Sequence, residues 1–270
     1  MNPEASTPPH RRWRAGWWLF ALALAVCGWV GRREYDHRAA IREARAAGYE
    51  WSTDEPIELM RPDWQRWIDP YGRLDLGLGA DLTKASGLLP RLRAKKLIAY
   101  YCRNTDVDAL KGLTGLQALH IYDYPGLQDA DALEGLSTLT ELELSGCPAL
   151  QNVDGLKGLT RLRNLHLSHN PALKNVNGIK GLAELQVIDL YECPSLQDVQ
   201  AFQRLSNLLY VRLSHCLEVK DMGSFKKLTG LQTLDLRYNT GIPPADLREL
   251  RAALPQTDIT FPDGSKAPPP

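Results

Sequence analysis

The side chains that could do chemistry in this chain recur at one interval. Glu143, His166 and Asp189 stand 23 residues apart, with His120 one step earlier and His169 close by. Carboxylates and imidazoles are both acid–base groups and ligands for first-row metals. Cys102, Cys147, Cys193 and Cys216 fall near a second column. Equal spacing, however, argues against convergence. If each recurrence is one strand of a parallel sheet, equivalent side chains point the same way, about 4.8 Å apart. No metal site is therefore expected. The cysteines read as buried turn residues, although Cys193 and Cys216 come within the Cα separation that a disulfide tolerates. There is no Gly-rich phosphate loop, nucleophile elbow or His-Glu-x-x-His. Gly112, Gly115, Gly155 and Gly158 follow the repeat and read as turn residues. No cofactor and no catalysis are expected.

The elements that position these residues follow from the leucines. Leu116, Leu139, Leu162, Leu185, Leu208, Leu231 and Leu254 mark the period. Three residues on lie Leu119, Leu142, Leu165, Ile188, Val211 and Leu234. Five on lie Ile121, Leu144, Leu167, Leu190, Leu213, Leu236 and Ile259, and eight on Tyr124, Cys147, Asn170, Cys193, Cys216 and Asn239. The pattern L-x-x-L-x-L-x-x-(N/C) predicts one short strand per repeat, with alternate residues buried. At the eighth position a small polar side chain can satisfy backbone groups in an inward turn. Prolines 125, 148, 171 and 194 end the strand and start the return. The return is short and Gly-rich, which predicts turns or 3₁₀ segments. One repeat cannot bury this apolar face, whereas stacked repeats make a continuous core.

Upstream, Leu97 to Cys102 matches a strand one residue out of register, and Leu76 to Asp81 another. Pro243 to Leu250 predicts a helix with proline in its first turn, leading to a last strand at Ile259. The expected organisation is a basic leader at 1–14, a transmembrane anchor or signal segment at 15–31, a helical spacer and cap at 32–73, repeats at 74–262 and a disordered tail at 263–270. The fold class is an α/β solenoid. A right-handed leucine-rich-repeat superhelix, with a concave parallel β-sheet and a short 3₁₀ or turn convex side, follows an N-terminal transmembrane helix.

All seven tryptophans precede residue 68. Ala15 to Gly31 carries no charge and is flanked by Arg11, Arg12 and Arg14 and by Arg32 and Arg33. Trp17, Trp18 and Trp29 sit near its ends, where interfacial aromatics belong. The run is at the short limit for a spanning helix. A cleaved signal and a buried soluble helix are the competing readings, and a retained anchor fits best. Five arginines after the run favour cytoplasmic repeats by the positive-inside rule, whereas the short basic leader favours export. Export is the reading adopted.

The chain resembles the membrane-anchored leucine-rich-repeat proteins of bacteria, which combine a basic leader, one apolar helix, an Ala/Arg-rich helix ending in glycine (here Gly48), a Trp-containing cap and repeats. Leu144 to Leu150 also resembles the cysteine-type repeats of plant immune receptors. The bacterial resemblance implies recognition of a protein or polysaccharide on the concave sheet, without intrinsic catalysis.

That sheet displays a central column of His120, Glu143, His166, Asp189, Arg212, Asp235 and Asp258. Tyr100, Tyr122, Glu143, His166, Asp189, Tyr191, Tyr210, Arg212 and Arg237 are the candidate partner-binding residues, because tyrosine and arginine concentrate binding energy at interfaces. Lys plus Arg equals Asp plus Glu at 32 each, so no overall field favours nucleic acid. A protein partner is expected, a glycan is possible, and the membrane is met through the N-terminal helix. The alternative function is a structural envelope protein acting through self-association of the repeats.

Overall fold

A computed structural model describes residues 50–52, 73–76, 95–101, 107–111 and 113–266. The apolar run with Trp17, Trp18 and Trp29, Cys102, and most of the 32–73 segment lie outside the described residues. Among the described residues, no helix is long and apolar enough to cross a membrane.

Ten strands form one sheet in chain order: β1 (Glu50–Ser52), β2 (Arg73–Leu76), β3 (Lys96–Tyr100), β4 (Ala118–Tyr122), β5 (Glu141–Ser145), β6 (Asn164–His166), β7 (Val187–Asp189), β8 (Tyr210–Arg212), β9 (Thr233–Asp235) and β10 (Asp258–Thr260). β2 to β10 run parallel, and β1 is antiparallel to β2. From β3 to β9 the coils return through 3₁₀ segments, from Val107–Leu110 to Gly223–Phe225, as the Gly-rich convex sequence predicts. Leu119 pairs with Leu142, Leu142 with Leu165 and Leu165 with Ile188, so the leucine columns stack in register. Leu142, Leu165, Leu167, Leu185 and their equivalents are fully buried in one continuous core. On the convex side Phe202 packs on Phe225 with ring centroids 4.8 Å apart. A buried leucine contributes about 1.5–3 kcal/mol, but only when the next coil covers it.

Two registers differ from the sequence reading. The strand before β3 is Arg73–Leu76, with Leu74 opposite Leu97, rather than a strand beginning at Leu76. Leu74-Asp75-Leu76 supplies the same alternation as Leu76-Gly77-Leu78, without glycine. At the other end Ile259 pairs with Leu234, not Leu236, and Thr260 rather than Asp258 lies opposite Asp235. The cause is the return path. Helix α1 (Pro244–Ala253), with proline in its first turn, replaces the 3₁₀ segment and lengthens the last coil by two residues. The expected disorder also begins too early. Thr260 bridges Lys266, the Phe261 amide donates to the Ser265 carbonyl, and Gly264 takes φ +82°, so 263–266 form a turn. Residues 267–270 lie outside the described residues.

Two convex columns were not read from the sequence. Asp129, Asn152, Asn175, Asp198 and Asp221 each accept a hydrogen bond from the amide two residues on, at 2.7–3.1 Å. These Asx turns start the 3₁₀ segments. Beside them Ala132, Gly155, Gly178, Ala201 and Ser224 form a buried small-residue column. A Cβ on Gly155 would strike the Ala130 carbonyl, and one on Gly178 the Val153 carbonyl. These two glycines thus serve close coil packing rather than turn geometry. Gly178→Val should lower the urea unfolding free energy by ~1–3 kcal/mol through overpacking. Ser224→Ala should raise it by up to ~1 kcal/mol, because the buried Ser224 hydroxyl has no hydrogen-bond partner. Equal midpoints for Gly178→Val and the parent would refute the packing argument.

Candidate functional site

The concave face rests on the turn column beneath it. Asn170 Oδ1 accepts the Cys147 amide at 2.8 Å, and its Nδ2 donates to the Leu144 and Leu167 carbonyls. Asn239 does the same for Cys216 and Leu213. At the cysteine positions Cys193 Sγ donates to the Leu167 carbonyl at 3.1 Å and Cys216 Sγ to the Leu190 carbonyl at 3.0 Å. The sulfurs also accept the amides of Asn170 and Cys193. Cys147, Cys193 and Cys216 are buried thiols outside any disulfide. Burial pushes the Cys193 thiol up to about 12 and raises that of Cys216 as well. They complete a backbone ladder and are poor nucleophiles.

On the sheet, the candidate residues separate into two internally bonded clusters. In the first, the rings of Tyr100 and Tyr122 stack with centroids 5.0 Å apart and an 11° interplanar angle. Tyr122 donates its hydroxyl to Glu143 Oε2 at 2.6 Å, and Ser145 donates to the other oxygen at 3.2 Å. Burial and the Glu143 carboxylate hold the Tyr122 hydroxyl in its protonated form. His120, which is 6% exposed, places Nε2 at 2.6 Å from Glu141 Oε1, with Lys96 3.9 Å from the same oxygen. Burial, then Lys96, lowers the His120 pKa despite both carboxylates. A neutral imidazole therefore donates from Nε2 to Glu141.

The second cluster is built on arginine. Arg212 Nη1 donates to Asp189 Oδ2 at 3.3 Å, its Nε donates to Ser214 Oγ, and its guanidinium lies 4.1 Å from the Tyr191 ring centroid. Arg237 grips Asp235 through Nε at 3.0 Å and Nη2 at 2.7 Å, and Ser214 adds a hydroxyl donor. Burial alone would raise the Asp235 carboxyl, but the Arg237 and Ser214 bonds outweigh it and hold it below the usual range. Asp189, Tyr191, Arg212 and Arg237 are thus brought together, with Tyr210 half-buried on the same face.

His166 joins neither cluster. Its imidazole and the side chains of Asn164 and Ser168 make no hydrogen bond within the described residues, although all three are only partly exposed. Beta-strand alternation puts them on one face, so an open polar saddle separates the two bonded clusters. Among the described residues, no three His, Cys, Asp or Glu side chains converge to hold a metal.

What sequence reasoning missed is the backbone at the strand ends. Asp123, His169, Glu192, His215 and Tyr238, which follow the concave columns, all have φ between 53° and 67°, and Tyr101 has φ 49°. Left-handed backbone costs a non-glycine residue about 1–2 kcal/mol. The lone glycine of the column, Gly146 at φ 70°, was the available signal.

His120 supplies a pH test with a defined sign. Its folded pKa lies below the unfolded value of about 6.5, so the unfolded chain protonates first. Stability from this site is complete above about pH 6.5 and is lost as pH falls through the folded value. His120→Gln, which keeps a donor to Glu141, should flatten the pH dependence of the urea midpoint in this window; an unaltered slope would contradict the burial argument. Cys193 and Cys216 should resist iodoacetamide at about pH 8 while folded and react once urea unfolds the chain. Rapid labelling of the folded protein would rule out the ladder role.

Residues 101–170 match the family model for R13L1/DRL21 LRRs. No curated protein matches the sequence. Among solved structures, the leucine-rich repeat domain of the type III effector XopL is 21% identical, with TM-score 0.56, covering 75% of this chain and 72% of that one. TLR13 in its complex with ssRNA13 is 22% identical, with TM-score 0.55, covering 70% and 29%. Internalin C2 of Listeria monocytogenes str. 4b F2365 is 23% identical, with TM-score 0.48, covering 68% and 81%. At these identities the likeness is one of fold. Repeat columns, sheet topology and comparisons together identify a leucine-rich-repeat solenoid.

Proposed function

We propose that this chain is a membrane-tethered recognition module of bacterial type that binds a protein partner through its concave sheet and performs no catalysis. The observation that carries this reading is the unspent hydrogen-bonding capacity of Asn164, His166 and Ser168, set between two bonded clusters rich in tyrosine and arginine. Partly exposed polar groups without internal partners gain more from a ligand than groups already satisfied. Tyr100, Tyr122, Tyr191 and Tyr210 supply large rigid area on either side. Charge argues for a near-neutral contact surface. Lys96, Arg212, Arg237 and Lys266 each face a carboxylate on this sheet, at 3.9, 3.3, 2.7 and 2.7 Å. A phosphate backbone needs unpaired cations, so the ligand named for TLR13 is not carried over. Leucine-rich repeats serve typically as protein-interaction modules, which supports a protein first and a glycan second. The tether is the uncharged run 15–31 with its flanking arginines and Trp17, Trp18 and Trp29, with the repeats on the extracytoplasmic side.

A photo-crosslinking side chain at position 166, compared with one at the convex Lys180, tests this. The expected result is a heterologous protein adduct from position 166, recovered with membranes and released only by detergent. It should disappear when Tyr191, Tyr210 and Arg212 are all replaced by alanine, with the thermal melt unchanged. Equal adducts from both faces, or survival of the adduct in the triple variant, would sink the site assignment.

A further inference from the structure

The left-handed turn column forms an edge of its own beside the concave face. The exposed large hydrophobic side chains among the described residues, Tyr101, Leu217 and Tyr238, are 54%, 48% and 54% exposed. All three lie in the turns that follow the strands. Between them runs a line of rings. His169 meets Tyr191 edge-on at 5.1 Å, Tyr191 meets His215 at 5.5 Å, and His215 stacks on Tyr238 at 4.1 Å. A cleft of about 350 Å³ opens alongside, walled by Pro171, Pro194 and Leu217 and topped by His169, Glu192 and His215.

We propose that this edge is a second recognition site, separate from the concave sheet, for a proline-rich segment in the polyproline II conformation flanked by a basic residue. Three features select that ligand. The first is shape. Proline-rich helices dock into aromatic-lined grooves, and one polyproline II turn advances about 9.3 Å. Two coils of a parallel stack advance about 9.6 Å, so a ligand lying along the solenoid meets equivalent slots once per turn. The second is hydrogen bonding. Such a ligand has carbonyls without internal partners, and the His215 imidazole and Tyr238 hydroxyl, which make no hydrogen bond within the described residues, are placed to donate to them. The third is charge. The column from Asp123 to Tyr238 contains Asp123 and Glu192 and no lysine or arginine. Glu192 meets His169 Nε2 at 3.3 Å and Arg212 reaches the line only over the Tyr191 ring, so the net carboxylate charge of the column fits a basic flank. A sugar chain prefers open ring faces. Here His215 and Tyr238 cover one face of each other, 23° from parallel, and the remaining rings of the line meet edge to face.

The edge shares Tyr191 with the concave-face reading, so its test uses Tyr238, Leu217 and Glu192, on which that reading does not depend. The full chain is titrated with a fluorescent peptide of nine prolines followed by two arginines, read by anisotropy. Saturable binding is expected, roughly tenfold weaker in Tyr238→Ala and in Leu217→Ser, and unchanged in the convex variant Lys180→Ala. Glu192→Gln should remove the preference for this peptide over one lacking the arginines. Absence of saturation at about 1 mM peptide, or binding that survives both edge substitutions, overturns the proposal. Binding of chitohexaose in place of the peptide, lost in Tyr238→Ala, also overturns it and reassigns the edge to a glycan.

Discussion

Every feature of this molecule answers to one constraint: successive coils must approach to strand spacing, about 4.8 Å, and leave no backbone group unpaired between them. Apolar columns fill the interior, but they do not set the spacing. The backbone ladder does, reinforced by the polar column: Asn170 bonds to the preceding coil and to its own, and Asn239 to the preceding coil, through amide groups with one acceptor and two donors. A thiol reproduces part of this arrangement, one donor to a carbonyl and one weak acceptor for an amide, which is why cysteine alternates with asparagine here. The glycines of the convex column answer to the same distance from the other side. Gly155 and Gly178 are small because a carbonyl of the previous coil already occupies the space.

The spacing also dictates the electrostatics of the exposed face. Side chains one coil apart cannot avoid each other, so like charges in register are costly and opposite charges stabilise. The chain solves this locally. Asp189 faces Arg212, Arg237 folds back over Asp235, and Lys266 closes on Asp258. Where a carboxylate has no cation of its own a hydroxyl is supplied, as Tyr122 does for Glu143, and Glu141 adds the His120 imidazole to the more distant Lys96. The resulting surface is richly polar but nearly neutral, and its bonding is largely used up except at β6. Selectivity on such a face depends on ring placement and a few open donors rather than on long-range attraction.

Much of the fold was legible in the sequence because the core columns obey strict period-two and repeat rules, which tertiary context cannot override without exposing leucine. The misreadings share one cause: a local feature altered the count. Leu76 competed with Leu74 because both begin an L-x-L triplet, and only pairing with Leu97 decides between them. Ile259 shifted column because α1 takes more chain than a 3₁₀ return. Seven of the nine concave candidates lie on strands, with Tyr191 and Arg237 two residues beyond β7 and β9, but bonding between neighbours is a property of rotamers, so the isolation of His166 was invisible. The left-handed column was hidden differently, since His, Glu and Tyr occupy positions where glycine is the usual sign. The Asx turns were legible in principle, as Asp or Asn recurs at 129, 152, 175, 198 and 221, but the apolar columns on either side of them dominate the pattern of the return path.

Among the described residues, both ends of the stack reverse direction. β1 lies antiparallel to β2, and Lys266 returns antiparallel against Thr260. A parallel stack is a one-dimensional lattice with no inherent stop, since any coil with the same hydrogen-bonding polarity can add to its end. A terminal segment of opposite polarity still offers an edge, but a further coil could add to it only by antiparallel pairing, out of step with the parallel ladder, so it discourages growth much as a monofunctional monomer caps a polymer. The length of the solenoid is thereby written twice, in the number of repeats and in the polarity of its boundaries. A duplication that added coils inside these boundaries would lengthen the molecule without opening it to end-to-end growth.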